Sequence, residues 1–199
     1  MTAVAVIDAG GANFGSVCYA LERLGVQPRI VRDADGLRTA TRVILPGVGA
    51  AAPAMRLLRE RGFADVLPTL AVPLLGICLG MQLLFEASDE GDVNCLGLLP
   101  GRVHKLQAGA GLRVPHMGWN DLQPVHASPL LDGVGEASVY FVHGYAAPVT
   151  DACIASCTHG ATFAAVVQRG KVAGMQFHPE RSGVAGARLL SNFLQWSGV

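Results

Sequence analysis

The sequence predicts an α/β fold: a mixed, largely parallel central sheet flanked by helices, with antiparallel strands in the C-terminal half. Three observations carry this. Short apolar runs alternate with helical stretches of ten or so residues through the first half, the pattern of βαβ crossovers. A glycine-flanked strand-to-helix turn, Gly76 to Gly80, interrupts that pattern at its centre. Closely spaced alternating runs follow near the C-terminus, joined by tight turns, and these pair antiparallel.

The elements follow in order. Ala3 to Asp8 is a buried strand that ends in a glycine-rich turn, Ala9 to Ala12. Phe14 to Leu24 is a helix closed by Gly25, since glycine takes the left-handed C-terminal position without strain. Arg29 to Arg32 and Arg42 to Leu45 are further strands, the second running into Pro46. Ala51 to Arg61 is a helix stopped by Gly62. Val72 to Ile77 is a strand, and Cys78 to Ala87 is expected to be helical. Between Gly97 and Gln123 only short pieces are expected, broken by Pro100, Gly101, Gly109, Gly111, Pro115 and Gly118. Strands are expected at Ser138 to Tyr145, Cys153 to Cys157, Phe163 to Gln168 and Val172 to Phe177. The tight turns are His159-Gly160 and Arg169-Gly170, and an amphipathic helix, Val184 to Trp196, closes the chain. With no repeat and no linker, residues 1–199 read as one domain.

Composition narrows the function. The chain holds 15 basic and 15 acidic side chains, for a net charge of zero. That balance, with no basic tract, argues against a nucleic-acid binder. Charged residues are only 15%, below the usual ~25%, which excludes disorder and suggests a surface that meets a partner. The N-terminus lacks a basic segment, and Leu70 to Phe85 is too short and too interrupted to span a bilayer. A soluble, cytoplasmic protein without a membrane association is expected. Five cysteines in a chain of this length do not make a disulfide framework, and Cys153 and Cys157 lack the second pair that a zinc site needs.

Three motifs carry chemistry. Gly76-Ile77-Cys78-Leu79-Gly80 is a nucleophile elbow with sulfur in place of oxygen. The sharp turn strains the nucleophile's backbone, and the flanking glycines remove side chains that would clash. A thiol at a helix N-terminus favours the thiolate, and the Leu79 N–H points to where an oxyanion forms. Phe177-His178-Pro179-Glu180 lies at the end of an apolar strand. There His178 and Glu180, two apart on extended chain, supply a base and the carboxylate that orients it. Pro46-Gly47-Val48-Gly49 follows another strand and can aim backbone N–H groups into the same cleft. Taken singly, a buried cysteine, a polar strand end and an ordinary βα turn remain open readings. Asp89, Glu90 and Asp92 read as a solvated acidic turn, and His104, His126 and His159 as surface residues.

Together the turn PGVG, the elbow GICLGMQLL and the run FHPE resemble the class I, triad-type glutamine amidotransferases. VPHMGWN (114–120), YFVHGY (140–145), the start DAGGANFGSV and the end FHPERSGVAGARLLSNFLQ are similar to one branch, the glutaminase subunits of imidazole glycerol phosphate synthase. The resemblance covers essentially the whole chain. It implies a Cys78–His178–Glu180 triad that hydrolyses glutamine to glutamate and ammonia through a thioester. It implies an oxyanion switch at Gly47, Val48 and Gly49 with Leu79, and substrate contacts from Gly47, Gln82, His143, Gly144 and Tyr145. It implies no cofactor and no metal. The implied partner is a (β/α)8-barrel cyclase subunit that receives the ammonia, docked on a face containing Asn13, Trp119, Asn120, Tyr140 and Arg181. The family commonly carries Ser or Thr where this chain has Gly144. The alternatives are a glutaminase subunit serving anthranilate, pyridoxal phosphate or nucleotide synthesis, a non-catalytic subunit, or a free-standing cysteine hydrolase. VPHMGWN with YFVHGY favours the first branch over the other glutaminases, and the intact triad argues against a non-catalytic role.

Overall fold

The computed structural model describes residues 3–10, 14–109 and 111–198. Its strands are β1 (Val4–Ile7), β2 (Arg29–Val31), β3 (Arg42–Gly47), β4 (Leu74–Cys78), β5 (Phe85–Ser88), β6 (Val93–Asn94), β7 (Leu99–Lys105), β8 (His116–Asp121), β9 (Gln123–Pro124), β10 (Ser138–His143), β11 (Tyr145–Ala146), β12 (Cys153–His159), β13 (Ala161–Arg169) and β14 (Val172–Met175). The helices are α1 (Phe14–Arg23), α2 (Ala51–Glu60), α3 (Phe63–Val66), α4 (Leu79–Gln82) and α5 (Gly183–Gln195).

Eight strands form the central sheet in the order β2-β1-β3-β4-β14-β13-β12-β9. From β2 to β14 every neighbour is parallel, and from β14 to β9 every neighbour is antiparallel. The expected parallel half and antiparallel half are therefore both present, in one continuous sheet. β1 and β4 are buried along their whole length, as parallel strands covered on both faces must be. Alternation divides the core in two: Val4 and Val6 of β1 join a cluster with residues of α1 and α5, whereas Ala5 and Ile7 join one with residues of α2 and α3.

Two elements differ from expectation. Leu99–Lys105 runs as one strand, β7, through Pro100 and Gly101, where only short broken pieces were expected, because β5 and β11 pair with it on either side. Cys78 to Ala87 is not a single helix. α4 is one turn, and Phe85–Ser88 then extends as β5, which pairs with β6 and β7 in a small separate sheet. Leu83, Leu84 and Phe85 are fully buried. An apolar run of this kind has no period of its own, so tertiary pairing decides its conformation.

A third, two-stranded sheet sets the site. β8 and β10 pair antiparallel with His116 opposite His143 and Trp119 opposite Tyr140. The two runs that are far apart in sequence thus share one register. Among the described residues no helix is long and apolar enough to cross a membrane.

Candidate active site

Cys78 ends β4 with φ 54° and ψ −114°, a positive φ that a residue bearing a side chain adopts only under constraint. The constraint comes from close approach of backbones. A Cβ added to Gly80 would lie 1.8 Å from the Leu45 carbonyl oxygen, and one on Gly76 would lie 2.6 Å from the Gly80 oxygen. A Cβ on Gly47 would sit 2.9 Å from the Gly80 nitrogen. The turn after β3 can therefore pack against the elbow only because all three positions lack side chains.

His178 and Glu180 reach the elbow from the neighbouring strand. β14 is parallel to β4 in adjacent register, so both chains arrive at the same end of the sheet. His178 Nδ1 and Glu180 Oε1 are 2.9 Å apart, with their side chains 8% and 1% exposed. The pair does not lie on extended chain as expected. Pro179–Arg181 is a 3-10 turn begun by proline, which folds the carboxylate back toward the imidazole. Ser182, buried and unremarked in the sequence, secures this turn. Its hydroxyl donates to the His178 carbonyl at 2.7 Å and accepts the Tyr140 N–H at 3.0 Å.

Burial alone would lower the His178 pKa. Side-chain hydrogen bonds and charge interactions with Cys78 and Glu180 outweigh it and raise the value to about 10. Nδ1 is taken by Glu180, so Nε2 is the nitrogen left for the thiol. The other cysteines contrast with this. Burial pushes Cys95, Cys153 and Cys157 up to about 11, which keeps them protonated. All five cysteines are free.

A cavity of about 180 Å³ opens in front of the sulfur. Its lining brings together most of the residues singled out above: Val48, Gly49, Cys78, Leu79, Gln82, His143, Gly144, Tyr145 and His178. Gly47 is buried behind them, paired with Cys78 across β3 and β4. Gly144 has open space at its Cβ position, with only Pro115 Cβ at 4.0 Å.

Two further residues belong to this site. Glu90 is not a solvated acid of a loop. It lines the cavity, and its Oε2 accepts the backbone N–H of Ala51 at 2.9 Å. Only Asp89 and Asp92 of that turn pair outward, with Arg102. Gln176 is fully buried, accepts from Gln82 Nε2 at 3.0 Å, and places its own Nε2 4.0 Å from Cys78 Sγ. Its place just before the FHPE run was the available signal. Nothing local marked Glu90. Among the described residues no group of His, Cys, Asp and Glu is arranged to hold a metal ion.

The family model for glutamine amidotransferase class-I matches residues 5–196 of this chain. The chain belongs to the class I glutamine amidotransferases. Among curated members of the family, this amidotransferase is 65% identical over 198 residues to "Imidazole glycerol phosphate synthase subunit HisH" of Xanthomonas euvesicatoria pv. vesicatoria (strain 85-10), covering 99% of each chain. It is 63% identical over 196 residues to the protein of the same name from Xylella fastidiosa (strain Temecula1 / ATCC 700964), covering 98% of each. A crystal structure of a glutamine amidotransferase superposes with a TM-score of 0.78 at 25% identity, over 98% of this chain and 99% of that one.

The residues expected on the docking face separate into two groups. Trp119 is 57% exposed and meets the Tyr140 ring edge-on at 5.9 Å, while the Arg181 guanidinium lies 5.6 Å over that ring. These three form one patch. Asn120 sits on the other face of β8 with its amide engaged inside the chain, bonded to the Thr158 carbonyl at 3.0 Å. Asn13 lies outside the described residues. His159, expected at the surface, is half-buried and stacked on His116 with centroids 4.1 Å apart.

Proposed function

We propose that this amidotransferase is the glutaminase subunit of imidazole glycerol phosphate synthase. It hydrolyses glutamine and delivers ammonia to a cyclase subunit, which forms imidazole glycerol phosphate and aminoimidazole carboxamide ribonucleotide in histidine biosynthesis. One observation carries the catalytic part: a strained cysteine bonded to a buried histidine that a buried carboxylate holds, all at the mouth of one cavity. The full-length identity to subunits of that name supports the choice of pathway and partner.

Chemistry follows from the geometry. The Cys78 sulfur attacks the side-chain amide carbon of glutamine. The proton rests on His178, whose raised pKa suits a cation beside the sulfur, and passes to the leaving nitrogen as ammonia departs. Glu180 orients the ring through Nδ1 and balances its charge. The N–H groups of Leu79 and Val48 hold the oxyanion, the second after a peptide flip in the Gly47–Gly49 turn. Water, activated by His178, then releases glutamate from the thioester. Gln82 and the His143–Tyr145 segment bind the substrate. Ammonia freed into water is largely protonated and no longer a nucleophile, so the product must pass directly into the partner. Trp119, Tyr140 and Arg181 form the docking face, since aromatic and arginine side chains are enriched at such contacts. Free thiols suit a cytoplasmic setting.

The test is glutamate release from glutamine by the chain alone, and with its cyclase partner plus nucleotide substrate. Negligible activity alone and a large rise in the complex are expected, with Cys78→Ala lowering the complex's rate by about 10³-fold or more. Full activity without the cyclase would reject the pathway assignment. Activity surviving in Cys78→Ala would reject the nucleophile.

A further inference from the structure

Behind the cavity runs a chain of hydrogen bonds whose direction is fixed independently from both ends. At the outer end, the backbone N–H of Asp121 can only donate, so the Asn120 oxygen that faces it at 2.8 Å is the amide's Oδ1. Asn120 Nδ2 therefore donates to the His116 Nε2 that lies 3.3 Å away. At the inner end, the Tyr145 carbonyl can only accept, so His143 Nδ1, at 2.8 Å from it, carries a hydrogen. Between these ends His116 Nδ1 and His143 Nε2 are 3.2 Å apart. A proton count closes in one arrangement only: both rings neutral, both protonated at Nδ1, with His116 donating to His143. Burial holds both rings neutral, lowering His116 to about 4 and His143 to about 3.

The Tyr145 carbonyl continues the chain inward. It also accepts Gln82 Nε2 at 2.8 Å, and the same nitrogen donates to Gln176 Oε1 at 3.0 Å. Gln176 is thereby turned so that its Nε2 faces the nucleophile. His116 itself does not line the cavity.

We propose that His116 is a positioning residue for glutamine hydrolysis. It donates to His143, and so fixes the Tyr145 carbonyl on which the Gln82–Gln176 amide pair beside Cys78 hangs. This rests on the glutaminase reading above.

Two measurements test it. In wild-type chain, ¹⁵N spectra of the imidazoles should show His116 and His143 as neutral Nδ1–H tautomers at neutral pH. An Nε2–H or protonated His143 overturns the relay whatever the activity. His116→Phe keeps the stacking on Phe141 and His159, at 4.8 Å and 4.1 Å, but removes both hydrogen bonds. In the complex with the cyclase it should lower kcat/KM for glutamine by about 10- to 100-fold, as misplacement away from the chemistry does. The loss should fall mainly on KM, since the affected groups bind the substrate. His116→Asn restores a donor where Nδ1 stood and should recover activity to within about threefold of wild type. Wild-type kinetics in the phenylalanine variant, or an equal loss in both variants, would overturn the proposal. If the wild-type complex releases no glutamate, the glutaminase reading itself fails, and the tautomer result still reports on the relay.

Discussion

Gly80 and Gly144 show how differently two glycines near one cavity are constrained. A methyl group at Gly80 would overlap the Leu45 carbonyl at 1.8 Å, inside a turn that has no slack. Gly80→Ala should cost about 3 kcal/mol or more in urea unfolding. Gly144 has room and an ordinary backbone, so Gly144→Ser should change stability by no more than about 0.5 kcal/mol and leave glutamine hydrolysis intact. A large loss in the serine variant would mean the cavity wall is tighter than its geometry. Cys78, His178 and Glu180 could be found in the sequence because each needs its neighbours: glycines around a strained cysteine, proline after the histidine. Glu90 and Gln176 could not be assigned that way. A carboxylate that bonds the Ala51 N–H, and an amide bonded across to Gln82, depend on partners 39 and 94 residues away.

At the scale of elements, strands with uniform apolar character and helices with clean stops read correctly to within a residue or two. The exceptions were β7, which runs through Pro100 and Gly101, and β5, where Leu83 to Phe85 offered no periodicity and pairing with β7 decided the outcome. The C-terminal helix shows how an element is held in place. The last turn of α5 is closed by the Trp196 backbone N–H, which bonds the Asn192 and Phe193 carbonyls, and Arg42 of β3 adds charged donors there. Its Nε and Nη2 donate to the carbonyls of Phe193 at 3.1 Å and Trp196 at 2.7 Å. A charged donor at a helix end is worth more than a neutral one. Arg42→Ala should lower stability by about 2 kcal/mol, read as a shift in urea midpoint with an unchanged slope. Unchanged stability would mean that water caps the helix equally well. No sequence signal links residue 42 to residue 196; only the packing of α5 across the sheet brings them together.

The whole molecule responds to pH through histidines of opposite sign. His178 titrates near 10 in the folded chain and near 6.5 when unfolded, so its contribution is complete below pH 6.5 and is lost as pH rises toward 10. His116 and His143 are depressed, to about 4 and about 3. The unfolded chain then binds more protons below pH 6.5, and their contribution is lost as pH falls. Tm should therefore fall on both sides of a maximum near pH 6.5, with Glu180→Gln flattening the alkaline limb and His116→Phe the acid limb. A flat profile between pH 4 and 10 would contradict these assignments. By itself the sequence determined the α/β class, the elbow and the pairing of His178 with Glu180, because those rest on local turn chemistry and on strand and helix periods, and its motifs carried the family. Tertiary structure alone decided that β8 lies in register with β10, setting His116 against His143, that Gln176 faces the sulfur, and that Asn120 turns inward while Trp119 stays exposed. Register and burial are fixed by contacts between residues far apart in the chain, and no local pattern encodes them.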